Sequence, residues 1–371
     1  METMTEYPIP PEAEPQLPAG ETLPGKVSRW FLHRYPVWPA LRHLADKTVP
    51  RHSQSVWYNM GGIALFFFAV QVVTGILLMI YYRPAEPWMS VQRIVMEVPY
   101  GSLIRSVHHW SANLMVLSLF LHLFSTFFMK AYRRPREFTW LTGAGLFAIT
   151  LVFGFSGYLL PWDDLAFFAT RVGISELDKL PLLGHFMADL ARGGPEVTLD
   201  TLGRFYTLHV MVLPLAILAV LGLHLLFIQL QGMSEPDSFA ALPPEKKRYE
   251  KFFSEFMFGE IPIWMATGVL LVALSAIWPR PLAPEANAAA AAPAGIKPEW
   301  YFLSQFQLLK LFPGRIELLG LAILTLIPLG LVAVPFFDRS IPSDERGRLT
   351  TRLGVTALLA LIILTLWGAL S

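Results

Sequence analysis

The chain has 371 residues, of which 54% are apolar and only 15% charged, with a net charge of +1 and no cysteine. Soluble domains carry about 25% charged residues, so this balance belongs to a membrane protein rather than a soluble globule. Near-neutrality favours neither nucleic acid nor an acidic partner, and the lack of cysteine excludes disulfides and cysteine-ligated iron–sulfur clusters in this chain.

In chain order, the opening METMTEYPIPPEAEPQLPAGETLP is rich in Pro and Glu and lacks the apolar centre of a signal peptide. Residues 1–50 read as a disordered cytoplasmic tail followed by an amphipathic segment. Seven apolar runs follow, near 56–82, 104–129, 139–160, 205–229, 261–279, 316–337 and 352–370. Each approaches the roughly 20 helical residues needed to cross a ~30 Å hydrocarbon layer. The runs are continuous rather than alternating, so they predict helices and not the strands of a barrel. The expected fold is all-α, a polytopic membrane protein with seven transmembrane helices. A Pro- and charge-rich linker at 233–260 divides a four-helix module, 51–232, from a three-helix module, 261–371. PEANAAAAAPAG at 284–295 reads as a flexible low-complexity spacer. Of the 29 Lys and Arg residues, 18 fall in the N-terminal segment and the second, fourth and sixth loops, which places the N-terminus in the cytoplasm.

The second and fourth runs carry no Asp, Glu, Lys or Arg in their apolar cores, yet each holds two histidines, His108 with His122 and His209 with His224. Ionisable groups at such depth mark function. At 100° and 1.5 Å per residue, steps of 14 and 15 residues return to within about 40° and 60° of the starting direction, roughly 21 and 22 Å further along. Two such helices packed antiparallel present two facing His–His pairs, one near each side of the membrane. A haem fits between facing imidazoles in a dry bundle, its iron taking one nitrogen from each side. A lone histidine is more often a satisfied packing residue, but two matched pairs favour ligation. His109 lies about 140° off the shared face and reads as a polar neighbour. Gly61 and Gly75 in the first run, and Gly143 and Gly157 in the third, repeat the 14-residue step and would give a porphyrin edge its room.

RSVHHWSA at 105–112, GYLLPWDD at 157–164, RFYTLHVMVLP at 204–214 and KPEWYF at 297–302 resemble cytochrome b of the quinol-oxidising cytochrome bc complexes. The 15-residue step and seven-helix layout look like the chloroplast and cyanobacterial branch, with cytochrome and subunit IV fused. The resemblance implies two non-covalent b-type haems with two histidine ligands each: His108 and His209 for the haem nearer the outside, His122 and His224 for the one nearer the cytoplasm. It also implies a quinol-oxidation site at Pro298, Glu299, Trp300 and Tyr301, with quinol as substrate and proton translocation as a result. Glu299 would take a proton from a quinol hydroxyl, and Arg105 would pair with a haem propionate or serve the helix end. The first electron would leave to a Rieske iron–sulfur protein and a c-type cytochrome subunit. The second would cross both haems to a quinone near the cytoplasm, in a homodimer in a prokaryotic inner membrane.

Two other classes compete. A transporter would use the histidines as a proton relay. A di-haem membrane anchor of a dehydrogenase or hydrogenase would lack the PEWY loop and the C-terminal helices. The chain departs from the chloroplast-type pattern at Asn59, where that branch has a cysteine bonded to a third haem, so no covalent haem is expected. Ser125 and Gln229 stand where basic residues usually lie near cytoplasmic-side propionates, and offer no charge.

Overall fold

The computed structural model describes residues 23–34, 47–293, 295–338 and 345–371. The expectation of a disordered tail at 1–22 therefore lies outside the described residues. Seven helices are long and apolar enough to cross a membrane: Ser55–Met79, Gly101–Phe128, Glu137–Tyr158, Leu199–Gln231, Phe252–Ile277, Gly314–Phe337 and Arg348–Leu370, here numbered spans one to seven. The all-α class holds, since the described residues contain only two short strands, β1 (Thr48–Arg51) and β2 (Arg248–Lys251), paired antiparallel with Val49 opposite Glu250.

Polarity is arranged as a lipid solvent requires. Leu215, Val269 and Leu318 are each more than 60% exposed, which would be costly in water and is neutral against hydrocarbon. The interior is lined instead by small hydroxyl residues, Thr74, Ser106, Ser111, Thr150 and Ser156. Their protons go to carbonyls one turn back, as from Thr150 Oγ1 to the Leu146 oxygen at 2.9 Å, so these hydroxyls are satisfied within their own helices. Outside the membrane, ordinary capping marks the helix ends. The Asp163 carboxylate accepts the Ala166 amide at the start of the helix Asp164–Asp178, and a Thr198–Thr201 capping box opens span four. Gly232, at φ 74°, closes that span.

Spans one and two pack along their length, as do three and four; span five lies on both one and two, and span six on three. Phe67, Met115 and Leu271 form the apolar contact joining spans one, two and five. At the other end Phe127, Tyr132 and Trp140 meet Leu331 and Val334 of span six. The short helices Asp164–Asp178 and Gly184–Arg192 fold over the bundle end through Phe167, Phe168, Ile174 and Leu202.

Two boundaries differ from the sequence expectation. Span five starts at Phe252, well before 261, because a π turn at Phe252–Met257 carries the helix back into the linker. The spacer at 284–295 is pinned at its start. Asp164 donates to the Pro284 carbonyl at 3.0 Å, Ala286 to the Trp162 carbonyl at 3.0 Å, and Asn287 to the Asp164 carboxylate at 3.1 Å. Their partners Trp162 and Asp164 lie in the loop after span three, so the fifth loop is laid on the third.

One buried ionic group fastens the two modules. Asp338, at the end of span six, has only 2% of its side chain exposed and lies 3.6 Å from Lys130 Nζ and 3.9 Å from the Arg133 guanidinium. The Tyr132 hydroxyl donates to the same carboxylate. Removing one partner of such a group strands the others, at a cost of roughly 3–5 kcal/mol. Asp338→Ala is expected to lower the thermal unfolding midpoint of the purified protein in detergent markedly, and Arg134→Ala, whose Glu137 partner is at a surface ion pair 3.4 Å away, hardly at all.

Candidate functional site

His108 on span two and His209 on span four face each other with ring centroids 6.4 Å apart and planes at 67°. An iron held by one nitrogen from each ring keeps those nitrogens about 4 Å apart, and the centroids about 2 Å further, so roughly 6 Å in all. The observed spacing meets that requirement. His108 Nδ1 lies 2.9 Å from Thr74 Oγ1, and His209 Nδ1 lies 3.1 Å from Ser156 Oγ. Thr74 Oγ1 already donates to the Val70 carbonyl at 2.7 Å, so it accepts the Nδ1 proton and leaves Nε2 with the free lone pair.

The second pair, His122 and His224, lines a single cavity of about 890 Å³, counting its solvent-open part, together with Trp57, Tyr58, Gly143 and Phe147. His224 Nδ1 is 3.0 Å from Thr142 Oγ1 and 3.0 Å from the Thr139 carbonyl. Spans two and four share no extensive backbone contact among the described residues, and the His108 and His209 imidazoles stand in the space between them. Nor do three or more His, Cys, Asp or Glu gather anywhere among the described residues as a self-sufficient metal set. Two imidazoles per site are too few for structural zinc but suit a metal that brings four equatorial nitrogens of its own.

The unequal 14- and 15-residue steps are reconciled by backbone geometry. Span four contains a π turn at Leu208–Val212, beginning one residue before His209. A π turn accommodates one residue beyond the α-helical repeat. The 15-residue step from His209 to His224 therefore acts like the 14-residue step from His108 to His122, and both pairs keep one face.

The four glycines serve the imidazoles directly. A Cβ on Gly61 would lie 3.1 Å from His122 Cε1, on Gly75 3.5 Å from His108 Cε1, on Gly143 3.1 Å from His224 Cε1, and on Gly157 2.6 Å from His209 Cε1. Sequence reasoning assigned this room to a porphyrin edge. In the structure each glycine faces the edge of one of these four imidazoles.

The PEWY segment docks against spans two and three. Trp300 Nε1 donates to Asn113 Oδ1 at 2.8 Å, and the buried Tyr301 hydroxyl sits where a Cβ on Gly154 would be, 2.6 Å away. Asn113 is five residues from His108 and Gly154 three from Gly157, so the segment lies within roughly 8 Å, along the helix axes, of the His108–His209 level. Glu299, with 18% of its side chain exposed, is 4.0 Å from the Arg280 guanidinium. Burial pushes the Glu299 carboxyl up from its ordinary range, and Arg280 partly opposes the rise. Pro298 precedes it on the half-buried approach to the short helical turn Trp300–Phe302. Arg105 donates to the Arg280 carbonyl at 2.7 Å and the Pro281 carbonyl at 3.3 Å, so it holds the backbone that carries Arg280.

Several residues escaped sequence reasoning. Arg280, Asn113, Thr74, Thr142 and Ser156 act through contacts between distant segments. Lys47 donates to the Gln229 carbonyl at 2.6 Å and its side-chain oxygen at 3.1 Å, bringing a charge to the position that Gln229 leaves neutral. Arg136 donates to the Gln231, Gly232 and Met233 carbonyls and lines the His122–His224 cavity. Glu260, 6% exposed in span five, has both carboxyl oxygens buried beside Gly62.

Residues 44–232 match the family model described as cytochrome b/b6/petB, and residues 285–371 that described as cytochrome b(C-terminal)/b6/petD. The chain is 44% identical over 346 residues to a cytochrome bc complex cytochrome b subunit of Chlorobaculum thiosulfatiphilum, spanning 91% of this chain and 80% of that protein. It is 40% identical over 210 residues to cytochrome b6 of Heliobacterium mobile, spanning 56% of this chain and 99% of the relative. Among solved structures, a chain of a hyperthermophilic respiratory complex III superposes with a TM-score of 0.80 at 28% identity, over 92% of this chain and 91% of that one.

If the glycines make room for ligand rings, Gly157→Ala must displace His209, whereas Gly222→Ala in the same bundle meets nothing within 4 Å. Haem per protein in the purified variants is expected to fall for Gly157→Ala and to stay at the wild-type value for Gly222→Ala.

Proposed function

The chain belongs to the cytochrome b/b6 family, and from that premise we propose a specific assignment of its haem and quinone sites. As a multi-pass cytochrome b subunit of a bc-type complex, it is part of the catalytic core of a quinol oxidoreductase and serves electron transfer through b haems. The finer assignment is two non-covalent haems, one held by His108 and His209 on the outer side and one by His122 and His224 on the cytoplasmic side. Quinol is oxidised beside Glu299 and quinone reduced near the inner cavity. Asn59 carries no thiol, so no third haem is bonded to this chain. When bound, the haems supply one-electron carriage across the membrane.

The observation that carries the assignment of quinol oxidation is Glu299 itself: a carboxyl group raised by burial, beside Arg280, on a loop fastened next to the outer histidine pair. A quinol releases two protons with its two electrons, so a proton acceptor must sit beside the electron path. Glu299 takes a proton from a quinol hydroxyl, and Arg280 keeps its charged form accessible. Burial pushes the Tyr301 phenol up as well, so Tyr301 stays a neutral hydrogen-bond donor to the substrate oxygen. Trp300 and Tyr301 keep the loop docked while the carboxyl group exchanges its proton with water. The C-terminal match over 285–371 contains this loop and weighs against a simple di-haem anchor.

The remaining parts of the proposal follow from the chemistry and from the relatives. The chain has no cysteine for an iron–sulfur centre or a c-type haem, so a Rieske protein and a c-type cytochrome must be separate partners. Homodimeric assembly, proton translocation, module boundaries at 51–232 and 261–371, and a prokaryotic inner membrane with the N-terminus inside complete the reading.

Haem quantification by pyridine haemochrome is expected to give two b haems per chain, and one after His209→Leu. A gel stained for haem peroxidase is expected to show no band at this chain's mass. Quinol-driven haem reduction by the wild type is expected to rise with pH as Glu299 loses its proton, since only the carboxylate accepts one. Glu299→Gln is expected to slow that step on the order of 10²-fold and to flatten its pH dependence, with both haem spectra retained.

A further inference from the structure

Three of the four ligand histidines share one arrangement. The residue before each facing glycine is a hydroxyl residue whose oxygen meets Nδ1: Thr74 before Gly75 for His108, Ser156 before Gly157 for His209, and Thr142 before Gly143 for His224. The two dipeptides of span three are 14 residues apart, and so are the two positions in span one. The fourth member of this repeat is Met60–Gly61, facing His122. Methionine has no donor or acceptor to match a hydroxyl, and His122 Nδ1 is buried with no hydrogen-bond partner.

The local backbone explains why no carbonyl takes over. In span three the helix continues for a turn before Thr142, and its Thr139 carbonyl meets the His224 ring at 3.0 Å. In span one the α-helix begins only at Asn59, after a short turn at Ser55–Tyr58. The Trp57 carbonyl, which would be the counterpart of Thr139, is bonded by the Asn59 amide.

Resting on the haem assignment above, we propose that Thr74, Ser156 and Thr142 are positioning residues that raise the donor strength of their imidazoles. Their missing counterpart at Met60 leaves His122 the least basic of the four ligands. A hydrogen bond from Nδ1–H to an acceptor makes the opposite ring nitrogen a stronger donor, and a stronger donor favours the oxidised iron. Without that bond, the iron at the His122–His224 site is easier to reduce. The asymmetry biases an electron to move from the outer site toward the cytoplasmic one, so Met60 contributes to the direction of transfer while touching neither substrate nor reacting atoms.

The test is redox potentiometry of the two haems in the purified holo-complex, followed optically and by low-temperature electron paramagnetic resonance. Met60→Ser is expected to lower the midpoint of the cytoplasmic-side haem and leave the outer one in place. Thr74→Val, close in shape but without the hydroxyl, is expected to raise the outer midpoint alone, and Thr74→Ser to restore it. Unmoved midpoints in both Met60→Ser and Thr74→Val overturn the proposal, as does an equal shift of both haems in either. If Met60→Ser does not assemble, the Thr74→Val and Thr74→Ser pair decides it. A wild-type complex that titrates fewer than two haems would overturn the haem assignment instead, which separates the two failures.

Discussion

The bundle depends on keeping spans two and four apart at two depths in a solvent that gives apolar helices no reason to leave a gap. Lipid offers little hydrophobic drive between helices, so small residues, hydrogen bonds and close packing decide where backbones approach. Here close approach is assigned to the pairs one–two and three–four. Each pair sets a glycine against the imidazole of its neighbour, which gives that ring room between the helices instead of pushing them apart. The 6.4 Å separation of the His108 and His209 rings is the product of four helix positions rather than of one contact.

The C-terminal module builds on that frame instead of merely covering it. The fifth loop is held through backbone carbonyls by Arg105 and through Trp300 by Asn113, two side chains from the helix that carries His108. The fifth loop and the helix that carries His108 are thus one mechanical unit. Lys47 and Arg136 gather at the C-terminal end of span four, where the last carbonyls concentrate partial negative charge. A cationic rim is thereby placed beside the His122–His224 cavity without any charge entering the span itself.

The number of spans and the histidine ladder were legible because both rest on one-dimensional regularities, apolar length and helical period. The fused cytochrome b character was legible from four local motifs. What escaped depended on pairings between distant segments. Arg280 reads as an unremarkable loop cation until Glu299 lies beside it. Glu260 fell into the linker because the run of apolar residues starts at 261, whereas the backbone begins to coil at Phe252. The neutral Gln229 was seen, but its compensation by Lys47 joins positions some 180 residues apart. The π turn was equally hidden, since nothing in Leu208–Val212 differs in composition from ordinary helix. Only the odd 15-residue step signalled that one residue had to be absorbed.

The small sheet formed by β1 and β2 has a bearing on assembly. It ties the segment leading into span one to the one leading into span five, so the start of each module is stitched to the other. Cytochrome b6 of Heliobacterium mobile matches only the first part of this chain yet is covered almost to its full length, so in that protein the corresponding cytochrome stands as its own polypeptide. With both parts on one chain, docking of span five is an intramolecular event governed by effective concentration rather than by encounter in the membrane. The ratio of the two parts is then set by covalent structure at one to one, and dilution of the protein in lipid does not separate them.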